Sequence, residues 1–452
     1  MTQDKLRSHG PSMLLGFAGS NIRSFLDPFS LTMLATRVTE PNIARSVTWR
    51  EGGQPLDVLP VALILGSNAS GKSNLLRAMA DLRSFVLHSF RKGDPLGGVP
   101  RRPFRLAVDQ PSMFEIDLVL DGVRHLYSVS LDDDRVLAER AVRFPKGKES
   151  LLFERTGDHI EFGPSLRSRG RVIVELLRPN AAFLSVAAAT NDPTLLPLFR
   201  WFSRNLVLAE AHNRHLRLAH SADMLNASAS SERALALLRA ADLGISGVKR
   251  QLIDPETRDR LKRAVLILSG HEGEPDGSEA DAFTIDEYGI ALEHTTNGET
   301  FELGHDEESL GTLVWLGLLG PVVDALEHGR VLLADELDAS LHPVLVERLI
   351  RLFQSPSTNP NRAQLIANAH DLNLVDATGD RRLIGRDQIW FTEKQANGGT
   401  TLYPLLDFNP RRDEKVSRRY LQGLYGGIPI VSDAEFAAAL GDLDDQQLAF
   451  TS

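Results

Sequence analysis

Cysteine is absent from the 452 residues of this chain, and so are long hydrophobic runs. Without cysteine the protein can form neither a disulfide nor a thiolate metal site, which agrees with a cytoplasmic location. The apolar runs fall short of the roughly 18 residues that a membrane-spanning helix needs. Residues Met1–Gly10 are polar and lack an apolar signal core. We interpret them as a loose leader rather than a secretion signal.

A positive net charge is also absent: 60 acidic residues outnumber 50 lysines and arginines, so the formal net charge is −10 at pH 7. This balance argues against a uniformly basic surface for nucleic acid, although it leaves room for a local basic groove. Three basic groups are candidates, and each is more typical of a solvated face: Arg101–Arg105, Arg167–Arg171 and Lys249–Arg263. Nucleic acid therefore stays open as a partner. Chain length and a hydrophobic content of 42% predict two or three domains with a sizeable core.

One stretch carries the strongest chemical signal. The apolar segment Val61–Leu65 predicts a buried strand, and helical spacing begins after the glycine-rich residues that follow it. Strand, glycine loop and helix in this order are typical of a P-loop, whose backbone N–H groups and helix N-terminus face phosphates. We predict that Lys72 reaches the β- and γ-phosphates and contributes to catalysis, and that Ser73 ligates Mg²⁺. The predicted ATP-binding residues here are Gly66, Ser67, Asn68, Ala69, Ser70, Gly71, Lys72, Ser73 and Asn74.

Two further apolar strands end in polar residues. The strand Arg330–Ala334 is followed by Asp335 and Glu336, and the strand that begins at Gln364 leads to His370. A carboxylate at the end of a buried strand is costly unless it has a strong partner, so we predict that Asp335 holds Mg²⁺, mostly through water. Glu336 is predicted to orient or deprotonate the attacking water. The alternative is that both acids cap a strand on a solvated rim.

The segment Asp335–Pro343 resembles the Walker B motif and D-loop of ABC-type ATPases, and Ser309-x-Gly311 resembles the kernel of the ABC signature motif. The resemblance implies that Ser309 and Gly311 bind the γ-phosphate held by another subunit. It also implies that Asp338 belongs to the nucleotide site and that His370 is the switch histidine at the γ-phosphate. Considered alone, Ser309 would be an ordinary helix N-cap and His370 a structural residue.

The same resemblance, together with the order of the patterns, sets the expected architecture. We predict an α/β fold, an ABC/SMC-type P-loop ATPase domain with a mixed sheet, an antiparallel β subdomain and a mostly helical insertion. The helices of the insertion lack heptads, so we expect no long coiled-coil arm. The Q-loop stays open between Gln110 and the turn at Pro103-Phe104. The predicted boundaries are 11–171 and 269–430 for the two halves of the ATPase domain, 172–268 for the insertion and 431–452 for a tail.

Over about residues 15–430 the chain is similar to the compact ABC-class AAA ATPases of prokaryotic defence loci, of the RloA type. The similarity rests on Ser309–Thr312, Asp335–Pro343, Asp387–Lys394 and Tyr420–Pro429. It implies nucleotide-driven homodimerisation, or a higher assembly, and control of a separate effector in anti-phage abortive infection. That effector would be an RloB-like protein or another nuclease. Two alternatives are a RecF-like, ATP-dependent DNA-binding repair ATPase and a sensing scaffold that barely hydrolyses ATP.

Overall fold

A computed structural model describes residues 12–210, 214–227, 231–241, 243–252, 288–378 and 381–428. Residues 253–268 of the predicted insertion and the predicted tail over 431–452 lie outside these residues. Within them, two large sheets dominate the fold, one with seven strands and one with six.

The bounds of the elements are as follows. The strands are β1 (Met13–Ser20), β2 (Phe29–Thr32), β3 (Arg45–Val47), β4 (Leu56–Val58), β5 (Val61–Gly66), β6 (Ser112–Leu120), β7 (Val123–Leu131), β8 (Val136–Arg143), β9 (Ser150–Thr156), β10 (His159–Phe162), β11 (Leu206–Ala209), β12 (Ile245–Leu252), β13 (Tyr288–Thr296), β14 (Glu299–Gly304), β15 (Val331–Ala334), β16 (Gln364–Asn368), β17 (Ala377–Thr378), β18 (Arg381–Arg382), β19 (Ile389–Lys394) and β20 (Thr400–Pro404). The α-helices are α1 (Lys72–His88), α2 (Gly170–Val174), α3 (Phe183–Ala189), α4 (Leu196–Asn205), α5 (Arg214–Ala227), α6 (Ser231–Ala240), α7 (Leu310–His328), α8 (Pro343–Gln354) and α9 (Val416–Leu421).

The six-stranded sheet positions the loops that carry the predicted site residues. Its strand order is β11-β15-β16-β5-β19-β20, and every neighbouring pair is parallel except β19 with β20. Strands β5, β15 and β16 are buried along their whole length, as their continuous apolar sequences predict. Because the carboxyl ends of parallel strands meet at one edge, the loops after these three strands converge.

The seven-stranded sheet is antiparallel, in the order β10-β9-β8-β7-β6-β1-β2. Its β6–β7 hairpin turns at Asp121 and Gly122, whose φ angles are 51° and 76°. Two successive positive φ angles favour Asp-Gly, so this turn is encoded by its own two residues. The predicted fold class, a P-loop α/β domain with a mixed sheet and an antiparallel β subdomain, is confirmed.

The segment predicted as a helical insertion is more mixed than its sequence indicates. Strand β11 pairs with β15 inside the central sheet, and α3 and α4 pack against α1. Residues 172–209 therefore belong to the ATPase core, and this part of the prediction was wrong. The strand was missed because a four-residue apolar run carries too little periodicity to separate it from a helix. Beyond it, α5 and α6 pack on α7, and β12 pairs with β13; the domain boundaries otherwise stay a prediction.

Helix α7 is 19 residues long, and by length and composition it could cross a membrane. The sequence expectation concerned uninterrupted apolar runs, and in α7 Asp324 and Glu327 interrupt the apolar residues, so the helix passes only on its average composition. In the structure 67% of its most apolar 18-residue stretch is buried inside the protein. A core helix of a soluble protein passes the same test, so this helix alone is weak evidence for a membrane.

Candidate nucleotide-binding site

The loop between β5 and α1 adopts a conformation that depends on its glycines. Gly66, Ala69 and Gly71 have φ angles of 155°, 61° and 103°. A Cβ atom on Gly66 would lie 2.5 Å from the backbone oxygen of Thr392, and one on Gly71 would collide with the hydroxyl of Thr400. Since only glycine fits at these two positions, the strand–loop–helix geometry predicted for a phosphate loop is present in the structure.

Lys72 lies across this loop and is 6% exposed. Its Nζ donates hydrogen bonds to the carbonyl oxygens of Gly66 (2.8 Å) and Ser67 (2.9 Å). Burial lowers the pKa of Lys72 from its usual value, while the carboxylates of Asp338 and its neighbours oppose this shift. An ammonium group held only by neutral carbonyls can exchange them for phosphate oxygens at little cost.

Ser73 and Asp335 meet although they are far apart in the sequence. The Ser73 hydroxyl donates to Oδ1 of Asp335 (2.6 Å), and Nδ2 of Asn368 donates to the same oxygen (2.6 Å). On the other side, Nη2 of Arg77 lies 3.6 Å from Oδ2 of Asp335, while its Nε donates to Glu210 (2.8 Å). The Asp335 carboxylate is 5% exposed, and these partners explain how it can be buried.

The donor set fits a magnesium ion. A hydroxyl and one carboxylate are hard oxygen ligands, and Mg²⁺ at nucleotide sites takes one or two carboxylates, with phosphates and water completing its shell. Among the described residues there is no group of three or more acidic, histidine or cysteine side chains that could enclose a metal. Ser73 and Asp335 would therefore hold the ion together with the nucleotide and not as a preformed protein cage.

Asn368, which the sequence reasoning missed, links the ends of β15 and β16. Its Oδ1 accepts a hydrogen bond from the backbone N–H of Glu336, and its backbone oxygen accepts one from Leu337 (3.1 Å). This bonding holds Glu336 at a φ angle of 54°, with an exposed side chain. A positive φ at a non-glycine residue is uncommon and persists where the surroundings enforce it. The available signal was a polar residue at the end of a buried strand.

Asp338 positions the backbone beside His370. Its Oδ2 accepts hydrogen bonds from the backbone N–H groups of His370 and Asp371, each at 2.7 Å. Strand β16 ends at Asn368, two residues earlier than the sequence pattern suggested, so His370 lies in the loop that follows. Its side chain is exposed.

A second support for the phosphate loop comes from the hairpin β19–β20. Oγ1 of Thr392 lies 2.7 Å from Oγ of Ser70, and Oγ1 of Thr400 donates to the Ser70 carbonyl (2.9 Å). Thr400 also bonds Ser24 (2.8 Å), which accepts from Asn74 at the start of α1 (2.9 Å). Thr392 and Ser70 are both fully buried. Nothing in the local sequence pattern identifies these two threonines.

Most of the predicted residues of the loop and the strand ends share one cleft of about 810 Å³ with His370, whereas Gly66, Ser67 and Asp335 are not among the described residues that line it. Its lining comprises Asn68, Ala69, Ser70, Gly71, Lys72, Ser73, Asn74, Arg77, Glu336, Asp338, Ala339, Asn368 and His370. Phosphate-binding groups, Ser73 and a candidate base therefore face the same space, and Asp335 is buried beside it. A triphosphate bound by the loop would present its terminal phosphate to Glu336 and His370.

Ser309 and Gly311 are not among the described residues that line this cleft. Ser309 is exposed and caps α7, where its Oγ accepts a hydrogen bond from the Thr312 N–H (3.1 Å). A Cβ atom on Gly311 would lie 2.8 Å from the backbone oxygen of Ser340, so this helix end packs on the turn after Walker B. Within one chain the predicted signature residues are therefore separate from the phosphate loop. Neither Q-loop candidate, Gln110 or Phe104, lines the cleft among these residues.

Comparison with known proteins gives a family. Residues 61–376 match the family described as "AAA domain, putative AbiEii toxin, Type IV TA system". No curated protein matches the chain.

Solved structures of SMC head domains are similar over most of the chain. The SMC head domain from Thermotoga maritima has 14% identity and a TM-score of 0.36, covering 86% of this chain and 98% of that one. An SmcHead bound to the C-winged helix domain of ScpA has 12% identity and a TM-score of 0.38, with coverage of 86% and 96%. A Pyrococcus furiosus Smc head domain, bound to the C-terminal domain of ScpA, has 12% identity and a TM-score of 0.35, with coverage of 88% and 98%.

The Thr392–Ser70 contact generates a prediction. In Thr392→Val the Ser70 hydroxyl loses its buried partner, at a cost of about 1–3 kcal/mol, so ATP affinity should fall about tenfold as the loop relaxes. Titration with a fluorescent ATP analogue measures this, and Thr392→Ser, which keeps the hydroxyl, is the matched control. Wild-type affinity in Thr392→Val would show that the contact does not shape the loop.

Proposed function

We propose that this chain, which belongs to the AAA domain family described as putative AbiEii toxin, Type IV TA system, is an ATP-hydrolysing enzyme that works by self-association. The observation that carries the proposal is the single cleft containing Lys72, Ser73 and Glu336 beside the buried Asp335. A phosphate-binding loop alone would serve any nucleotide-binding protein. The acid positioned opposite it adds the means to hydrolyse the bound nucleotide.

In the proposed reaction, backbone N–H groups of the loop and Lys72 bind the β- and γ-phosphates. Glu336 accepts a hydrogen bond or proton from a water whose oxygen attacks the γ-phosphorus, and the bond from that phosphorus to the β,γ-bridging oxygen breaks. The products are ADP and inorganic phosphate. His370 stabilises charge on the γ-phosphate. Ser73 and Asp335 would hold Mg²⁺, which when bound would neutralise part of the phosphate charge.

The exposed N-terminus of α7 supports a site shared between subunits. Its N–H groups and the Ser309 hydroxyl form an anion-binding arrangement, yet they lie outside the cleft of their own chain. Closed two-fold dimers present each surface patch to its copy, so two nucleotides can be bound at equivalent positions. We propose that each ATP binds between Gly66–Ser73 of one subunit and Ser309–Gly311 of the other.

We further propose the biological role that the RloA-like resemblance implies, in the cytoplasm. ATP binding and turnover would regulate a separate nuclease-type effector, RloB-like or another, during phage infection. The resemblance includes the segment Tyr420–Pro429, whose described part packs on β19: the Tyr420 hydroxyl donates to the Gly427 carbonyl (2.7 Å), and the Gly427 N–H donates to Glu393 (3.2 Å). This segment therefore contacts the strand that supports the phosphate loop.

Substitution of Glu336 tests the enzyme activity and the assembly together. Glu336→Gln should keep ATP affinity but lower turnover by about 10²- to 10⁴-fold, because the amide cannot accept the proton of water. Light scattering should show its mass doubling with ATP–Mg²⁺. Lys72→Ala, which weakens phosphate binding, is the control that should stay monomeric. Unchanged turnover in Glu336→Gln would contradict the proposal.

Mixing two inactive proteins tests whether the site is shared. Ser309→Asp keeps a good N-cap but places negative charge against the γ-phosphate, so it should be inactive, whereas Ser309→Asn should be nearly normal. Mixed with Lys72→Ala protein, it forms heterodimers with one intact composite site. ATPase activity should return to at most about half of wild type, because each heterodimer has one working site of two. If the site lies within one chain, mixing restores nothing.

The defence role is tested in cells that carry the gene at its native locus with its neighbours. Phage plating efficiency should drop relative to cells without the locus, and Glu336→Gln or Lys72→Ala should restore it because the effector is no longer controlled. Immunoblotting for equal protein levels is the control. Equal plating with and without the wild-type locus, across a broad phage panel, would count against this role.

A further inference from the structure

A second cleft of about 810 Å³ opens at the other end of the central sheet from the nucleotide site. Arg330 directly precedes β15 and Arg362 lies two residues before β16, whereas Asp335 and Asn368 end or follow those strands. A four-residue strand spans about 13 Å, so β15 separates the two clefts. This second cleft, which we call the arginine cleft, also contains Arg200 and Arg204 from α4.

Three of these guanidinium groups have no partner within the part of the chain that the structure describes. Arg200 and Arg204 are exposed on α4, one helical turn apart, and Arg362 is half-buried on the opposite wall. Arg330, by contrast, pairs with Asp324. In a chain of net charge −10, three unpaired arginines facing one cleft form a local positive excess.

The remaining charged groups of the arginine cleft are already engaged. Glu327 pairs with Arg233 (3.0 Å), and Asp121 also makes an interaction. His328 contacts the carboxylate of Asp324 (3.1 Å). The free donors of this cleft are therefore planar guanidinium forks, the geometry that binds phosphate in bidentate fashion.

The wall that carries Arg362 is preformed. Asn359 donates to the carbonyls of Phe353 (2.9 Å) and Ala363 (2.8 Å) and accepts from the Ala363 N–H (2.7 Å), which closes the loop around Arg362. Arg362 itself has a φ angle of 62°. A side chain held on a closed loop loses less entropy when it binds, which is why preformed sites bind more tightly.

We propose that the arginine cleft binds the phosphate backbone of a nucleic-acid strand through Arg200, Arg204 and Arg362. A phosphodiester strand carries one charge per nucleotide along a continuous backbone, so its successive phosphates can each pair with one of these separate arginines. The proposal does not depend on ATP hydrolysis, because the arginine cleft shares no lining residue with the nucleotide cleft.

The test uses the full chain without nucleotide and fluorescein-labelled 12-nucleotide single strands of DNA and of RNA. Anisotropy titrations at several salt concentrations should show an affinity that falls linearly with log salt concentration. Arg200→Gln/Arg204→Gln should weaken binding at least tenfold at low salt and reduce the salt slope by about one per arginine. Arg362→Asn, which tolerates the left-handed backbone, should reduce the slope by about one.

Arg348→Gln is the matched control, because Arg348 is exposed on α8 and does not line the arginine cleft. Its binding should equal wild type, and unchanged unfolding midpoints and ATP affinity establish that the cleft variants are folded. Wild-type binding by the cleft variants overturns the proposal. Displacement of the labelled strand by tripolyphosphate or by a polyglutamate peptide, each at an equal concentration of negative charge, also overturns it. A strand complex that persists against both competitors supports the proposal.

Discussion

The buried carboxylate of Asp335 is the interaction on which the site depends. A carboxylate that is 5% exposed is costly unless it is paired, and here it accepts hydrogen bonds from Ser73 of α1 and Asn368 of β16. Three elements from distant parts of the chain are thereby joined at one atom. The same asparagine accepts from the Glu336 N–H and so sets the backbone that directs the candidate base. Metal binding, loop position and base position are therefore linked.

The phosphate loop is supported on two sides. Lys72 bonds the loop carbonyls of Gly66 and Ser67, while Thr392 and Thr400 hold Ser70. Each of these bonds contributes only about 0.5–1.5 kcal/mol, but an unpaired buried partner costs more than that. The loop is preorganised by the hairpin β19–β20, because β19 is the direct parallel neighbour of β5. Preorganisation matters here, since the loop must present its N–H groups before a phosphate arrives.

The two halves of the proposed ATP site have different surroundings. The half containing the phosphate loop is built into the buried central sheet, whereas Ser309 is exposed at the end of a helix. Gly311 packs against the backbone of Ser340, which lies in the turn that follows β15. A movement of that turn would therefore displace the N-terminus of α7. Through this contact, a change in the nucleotide cleft can alter the surface at the start of α7, which we propose is covered by a second subunit.

The sequence by itself determined those features in which neighbouring residues carry the whole signal. The strand–glycine loop–helix at Gly66–Ser73 and the acids after β15 were both predicted, because each depends on local spacing and backbone conformation. The family match supports the ATPase class, whereas the RloA-like role and the effector stay predictions.

Only the tertiary structure identified Asn368, Thr392 and Thr400 as parts of the site, and only it placed β11 in the central sheet. Their partners lie far away along the chain, and a polar residue or a four-residue apolar run has no periodicity that reveals them. The arginine cleft likewise exists only because α4 and the starts of two strands meet. Local sequence determines the secondary-structure elements and their loops. The contacts between elements join residues that are far apart in the sequence, so they depend on how the strands and helices pack.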